Sequence, residues 1–450
     1  MTACPLISNR SPDDILAWRP GGPVSVGSYL SQVRSMADRL PATRWIINLC
    51  EDRYHFAVLL GACALSGHVS LQPSSQSAQT LLQLQAAHPG AIAVTDVPDA
   101  ALPVPAMPFP ALDELPESAD TVVPLIPADR TVAILFTSGS TGQPQPHAKT
   151  WGRLVANGQA EAHALGLFGR PHVLVGTVPV QHSYGFESTF LLALHGGCSF
   201  WSGKPFYPQD LADALAQLPR PRMVVTTPYH LASVMASDLS MPAVDLWLSA
   251  TAPLGTDLAA RVERATGAPV HEIYGSTESS QLATRRTGDG PAWTLMPGVQ
   301  LEQQEGSTWA SGGHVEGRVP LADIIEVLAD GRFELHGRHA DMVNLAGKRT
   351  PLAYLSHQLC AIEGVRDGAF FLPREDEEGR VGRLMAFAVA PGRDRQGLLA
   401  ALRQRIDPIF MPRPLVLVDA LPRNSTGKLT RLELERLYRE RVPTRQADAG

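Results

Sequence analysis

Short apolar runs alternate with longer amphipathic ones through most of this chain, and that alternation restricts its fold more than any other feature. WIINL precedes YHFAVLLGACALSG, HVSLQ precedes SAQTLLQLQAAH, AIAVTDV follows, and VAILF precedes KTWGRLVANGQAEAHALGL. The pattern continues through VLVGTVP, STFLLALHGG, RMVVTTP, HLASVMAS and VDLWLSA to the helical LAARVERATG and the run VHEIYG. Strands separated by helix-length connections pair in parallel, because a parallel neighbour cannot be reached by a tight turn. The expected body is therefore α/β, with wound αβα sheets.

The pattern changes near Gly312. GHVEGRV and ADIIEVLADGRFELHGR read as alternating strands, with Asp330-Gly331 as the turn of a hairpin. After Arg338 come a helix in PLAYLSHQLCAIEGV, strands in GAFFLPR and LMAFAVAP, a helix in QGLLAALRQRI, a strand in PLVLVD and a helix in LTRLELERLYRERV. These make a compact α+β unit. The division expected is a large N-terminal domain over 1–337, wound sheets plus a β-rich part, and a small C-terminal domain over 338–450. The Pro-rich stretch Val97–Pro127 reads as an extended connection, and TRQADAG as a frayed tail.

With 450 residues and 44% apolar content, the chain can bury more than one core. A net charge of -6 without a dense Lys/Arg block argues against a nucleic-acid partner. Five cysteines without CxxC spacing suggest neither a disulfide framework nor a zinc site, and read as buried free thiols. The N-terminal stretch MTACPLISNRSPDDILAW has no basic segment before an apolar core, and no run of about 18 apolar residues predicts a membrane span. The expected location is cytoplasmic.

Three short stretches carry the chemistry. FTSGSTGQP, Phe136–Pro144, follows an apolar run and combines glycines, whose amides approach a ligand closely, with hydroxyl donors. Alone it also fits an ordinary surface turn. In YGSTE, Tyr274–Glu278, a carboxylate beside a hydroxyl at a strand end suits Mg²⁺ and a phosphate oxygen. PRNSTGKL sets Lys428 in a Gly/Thr turn, where its charge could meet a transferring phosphoryl group; a lone Lys is also an ordinary solvated charge. Neither Gly139, Gly142 nor Gly427-Lys428-Leu429 has the spacing of a Walker P-loop.

With VQHSYGFE and the segment ADIIEVLADGRFELHGRHADMVNLAGKR between them, these motifs stand in an order that resembles the adenylate-forming superfamily. That superfamily includes acyl- and aryl-CoA synthetases, peptide-synthetase adenylation domains and luciferases. The resemblance implies an AMP-forming carboxylic acid–thiol ligase that uses ATP and Mg²⁺. Thr137, Ser138, Gly139, Ser140, Thr141 and Gly142 would hold the triphosphate, Thr277 the α-phosphate and Glu278 the metal. Tyr274, Gly275 and Ser276 would lie along the nucleotide, Asp323 would grip the ribose and Arg338 would make a second ribose or phosphate contact. Lys428 would act in catalysis from a small domain that is mobile between half-reactions. Ala346 and Gly347 would face a pantetheine arm.

His182 matches the ring that the family sets beside the substrate carboxylate, with Ser183, Tyr184, Gly185, Ser249, Ala250, Thr251 and Gly275 lining a compact pocket. The chain is similar to ligases of aryl-polyene and xanthomonadin-type pigment clusters, which load an aryl acid such as 4-hydroxybenzoate onto the phosphopantetheine of an acyl carrier protein. The alternatives are a free-standing aryl- or acyl-CoA ligase and a degenerate adenylate-binding protein. The chain also departs from the family. Pro144-Gln145-Pro146 replaces Pro-Lys-Gly and removes a frequent cation, leaving backbone amides, His147 or Lys149 to compensate. Ala340-Asp341 stands at the hinge, and the large domain is short enough to imply a trimmed subdomain.

Overall fold

The computed structural model describes residues 2–73, 75–115, 120–138, 144–305, 307–338, 342–345, 348–373, 383–423 and 429–441. Their contacts form two compact units, Met1–Glu302 with Trp309–Val319, and Gln303–Thr308 with Pro320–Gly450.

Two sheets organise the first unit. In the nine-stranded sheet, Val270–Ser276, Leu246–Ser249, Arg222–Thr226, Val173–Gly176, Ser199–Trp201 and Ile15–Arg19 lie side by side and parallel, with antiparallel strands at both margins. The six-stranded sheet runs from Pro144–Thr150 and Thr131–Ser138 through Val69–Gln72, Trp45–Asn48 and Ile92–Thr95 to Ala106–Pro108. All its pairings are parallel except the first. The stretch Val97–Pro127 is thus more than a connection. Ala106–Pro108 extends this sheet, and Leu125–Pro127 pairs with Ala3–Pro5.

The helix Arg53–Ser66 lies between the two sheets. Its sequence is apolar nearly all round, which suits a helix covered on every side. Asp52 caps its start by accepting from the amides of Tyr54 and His55, and Gly67, left-handed at φ 83°, ends it. One side meets the six-stranded sheet. On the other, the Arg53 guanidinium donates to the carbonyls of Gly176 and Val178 at 2.6 and 2.8 Å, where a strand of the larger sheet ends. The run STFLLALHGG starts inside a π-helical turn, Phe186–Leu191, which leads into the helix Leu192–His195.

In the second unit, the strands Asp323–Val327 and Phe333–Arg338 form the expected hairpin, with Gly331 at φ 83° in its turn. A three-stranded sheet, Asp367–Phe371, Met385–Val389 and Leu415–Leu417, carries a core on each face. Phe370, Ala386 and Ala388 face the helices Leu352–Cys360 and Arg395–Arg403, while Ala369, Phe371, Met385 and Phe387 face Arg431–Arg441. Alternation at period two explains why these segments read as continuously apolar. All five cysteines are free; Cys50, Cys63 and Cys198 are buried, while Cys360 is exposed.

A buried polar cluster ties the two large sheets together. Lys149, on the edge strand of the smaller sheet, is 2% exposed, and its ammonium donates to Ser280 Oγ at 2.8 Å on a strand of the larger one. Glu187, on the π-helical turn, is pushed up to about 7 by burial, against the pull of Lys149 and of hydrogen bonds from Ser280 and Gln281. Burial also pushes Glu161 up, to about 8.

Removing the ammonium while leaving Glu187 should therefore destabilise the fold. Above pH 7, Lys149→Met is expected to cost about 1.4 kcal/mol more for each pH unit, reaching about 2–3 kcal/mol near pH 9. Without Lys149 the Glu187 carboxyl rises further above its unfolded value, so the folded variant retains a proton that the unfolded chain releases. Below about pH 7 both folded proteins hold that proton, so the deficit is small at about pH 6 and grows toward about pH 9. Denaturant unfolding at the two pH values checks this; an equal deficit at both would exclude Glu187 from the pairing.

Candidate active site

Parallel strands end on a common sheet edge, and the loops leaving that edge line a crevice. Four neighbouring strands, Val173–Gly176, Arg222–Thr226, Leu246–Ser249 and Val270–Ser276, end together here. The segments that follow carry His182 to Gly185, Ala250 with Thr251, and Thr277 with Glu278. Two of the motifs meet directly. Ser183 Oγ lies 3.2 Å from Thr277 Oγ1, across 94 positions of sequence.

The YGSTE turn is locally constrained. The pairing slips between Tyr274 and Gly275, and a Cβ on Gly275 would come within 2.3 Å of the Ser280 carbonyl oxygen, so glycine is required there. The Ser276 amide donates to Ser279 Oγ and the Ser279 amide to Ser276 Oγ, both at 3.2 Å. Ser280 closes the turn in a left-handed conformation, φ 60°. The half-buried Tyr274 packs with its ring 5.8 Å from that of Trp293.

His182 caps the short helix Ser183–Gly185, its Nδ1 accepting from the Tyr184 amide at 3.3 Å. An accepting Nδ1 leaves the proton on Nε2. The Tyr184 hydroxyl is committed to the Leu248 carbonyl at 2.8 Å, and burial raises its pKa strongly. Gly185 packs so tightly that an added Cβ would lie 2.2 Å from the Pro179 carbonyl oxygen. Beyond the neighbouring strand, Thr251 is left-handed at φ 78°, and the Ala250 amide reaches the Thr226 carbonyl at 3.3 Å. The buried Ser249 hydroxyl has no hydrogen-bond partner among the described residues.

From the smaller sheet, Thr137 and His147 approach the same turn. His147 Nε2 lies 3.0 Å from Thr137 Oγ1 and 3.8 Å from Glu278 Oε1. Burial lowers the His147 pKa against the opposing pull of Glu278. Burial alone would raise the Glu278 carboxyl, but its own backbone amide, the Ser276 hydroxyl and the charges of His147 and Lys149 hold it below the usual range. Glu278 is thus an ionised carboxylate, 46% exposed, with the Ser276 hydroxyl beside it. An ionised carboxylate with a hydroxyl beside it offers oxygen ligands to a hard cation such as Mg²⁺.

In the second unit, Asp323, expected to grip the ribose, and Arg338, expected to make a second ribose or phosphate contact, are registered opposite each other on one rung of the hairpin. Arg423, at the start of the PRNSTGKL motif, grips Asp367 through two hydrogen bonds, Nε to Oδ2 at 2.9 Å and Nη2 to Oδ1 at 2.7 Å. Ser138 and Arg338 each end a strand. Gly139, Ser140, Thr141, Gly142, Ala340, Asp341, Ala346, Gly347 and Lys428 lie outside the described residues.

Sequence reading assigned nothing to Glu187 or Glu161, although a lone acid in the apolar run GFESTFLLAL was a usable signal of a buried, paired carboxylate. The contact between Ser183 and Thr277 had no local signal at all.

Residues 36–306 match the family described as AMP-binding enzyme. A 4-coumarate–CoA ligase of Rhodobacter capsulatus is 28% identical over 301 residues, 66% of this chain and 74% of the relative. An L-proline–[L-prolyl-carrier protein] ligase of Streptomyces coelicolor is 25% identical over 460 residues, 90% of this chain and 80% of the relative. The fold matches MatB from Rhodopseudomonas palustris, solved with ATP bound, at a TM-score of 0.80 and 19% identity, covering 96% of this chain and 97% of that one. The family match spans more than half of the chain and the sequence relatives are ligases: this chain belongs to the AMP-binding enzyme family and is an adenylate-forming ligase of carboxylic acids.

Proposed function

We propose that the protein, working in the cytoplasm, adenylates a small aryl acid such as 4-hydroxybenzoate with ATP and transfers the acyl group to the phosphopantetheine of an acyl carrier protein. The observation that carries the adenylation reading is the Ser183–Thr277 contact, which joins the pocket motif to the phosphate and metal motif at one sheet edge. The 4-coumarate–CoA ligase relatives support an aryl acid. The carrier-protein relative supports the acceptor. A CoA acceptor is the second reading, favoured by the 4-coumarate–CoA ligase relatives.

In the reaction proposed, the substrate carboxylate attacks the α-phosphorus in line, and pyrophosphate leaves with negative charge building on its oxygens. His182, with its proton on Nε2, orients the carboxylate; Thr277 contacts the α-phosphate. Glu278 would hold Mg²⁺, which would compensate the charge on the phosphate oxygens. Lys428 approaches from the small domain and stabilises the transition state. The thiol then attacks the acyl carbon and AMP departs.

Pyrophosphate release across a panel of aryl and aliphatic acids, followed by acyl transfer to CoA or to a phosphopantetheinylated carrier protein, tests the assignment. An aryl acid and the carrier protein are expected to win. Two variants test the roles. Lys428→Ala should lower adenylation by about 10²–10³-fold, the range for losing one preorganised transition-state donor. Transfer from supplied acyl-AMP should be largely spared, so equal loss in both half-reactions would remove Lys428 from the first. Glu278→Gln should raise the Mg²⁺ concentration needed for half-maximal pyrophosphate release at least severalfold, because an amide offers a hard cation no anionic ligand. An unchanged Mg²⁺ titration would leave Glu278 structural.

A further inference from the structure

Side chains at alternate positions of a strand share a face, so Gln145, His147 and Lys149 form a row along Pro144–Thr150. Burial increases along it. Gln145 is exposed, His147 is half-buried and Lys149 is fully covered. Lys149 is spent on Ser280, and Gln145 carries no charge. His147 sits diagonally across the strand pair from Thr137, since Gln145 is registered opposite Thr137 and His147 opposite Leu135. Its Nε2 therefore reaches both Thr137 Oγ1 at 3.0 Å and the Glu278 carboxylate at 3.8 Å.

A carboxylate oxygen can only accept, so a ring nitrogen facing it and a hydroxyl is best satisfied when it carries the proton. Nε2–H then points into the gap between the strand that leads into the FTSGSTGQP loop and the YGSTE turn. That gap is bounded by a hydroxyl, an anion and this donor, a set that accepts a metal-bound phosphate chain far better than an apolar group. We propose that His147 is a binding residue for the triphosphate of ATP, donating from Nε2 to an oxygen of the pyrophosphate moiety and standing in for the cation that Gln145 lacks. This rests on the adenylation reading above. It gives that reading a specific donor for the leaving group, on a strand that is held in place by Lys149.

The test is equilibrium binding, measured calorimetrically with Mg²⁺, of AMP and of an ATP analogue carrying a non-hydrolysable methylene between the α- and β-phosphorus. His147→Ala should weaken the analogue by about tenfold or more, as expected for losing a hydrogen bond to a charged oxygen, and leave AMP within about twofold. His147→Gln, whose amide nitrogen can occupy the place of Nε2, should retain most of the affinity. Gln145→Lys in the His147→Ala background should restore it. Equal weakening of AMP and the analogue, or no weakening of either, would overturn the role of His147 while leaving adenylation intact. If the unaltered protein binds neither ligand, the adenylation reading itself fails.

Discussion

The hydrogen bond from the buried Lys149 ammonium to Ser280 is the interaction on which the geometry of the site depends. The two large sheets are separate hydrogen-bonded ladders, and apolar packing between them is not directional. A charged donor of fixed length is. It brings the strand after the FTSGSTGQP loop to the end of the YGSTE turn, so the two motifs that share a nucleotide in the proposed reaction share one anchor. Glu187 balances the charge, and its π-helical turn begins directly after the segment His182–Gly185.

The same arrangement explains the electrostatics of the turn. Glu278 remains ionised despite partial burial because amide, hydroxyl and cation all favour its charged form. Glu187 and Glu161, both fully buried, are pushed the other way by burial. Carboxylates within one unit thus diverge by solvation, a difference that separates a group suited to holding a cation from groups suited to holding a core together.

Much of the architecture could be read from pattern alone. Apolar runs such as WIINL and RMVVTTP became parallel strands, and Asp330-Gly331 turned a hairpin, because periodicity and glycine conformation act locally. The YGSTE motif likewise landed at a strand end. What escaped was whatever depends on register or on distant partners. Ala106–Pro108 looked like linker because proline and short length mask a strand that is stabilised from outside by Ile92–Thr95. The Tyr184 hydroxyl looked like a polar handle for a ligand, yet a carbonyl on the adjacent strand engages it. Which of His147 and Lys149 reaches Thr137 and Glu278 and which is buried against Ser280 is decided by how the two sheets meet, and no neighbour in sequence encodes that.

The bidentate grip of Arg423 on Asp367 fixes more than one loop root. Asp367 begins an edge strand of a sheet that is packed on both faces, so the grip is mounted on a part of the small unit that resists deformation. Any displacement of that sheet carries Arg423 with it, so the start of the PRNSTGKL motif moves as the sheet moves.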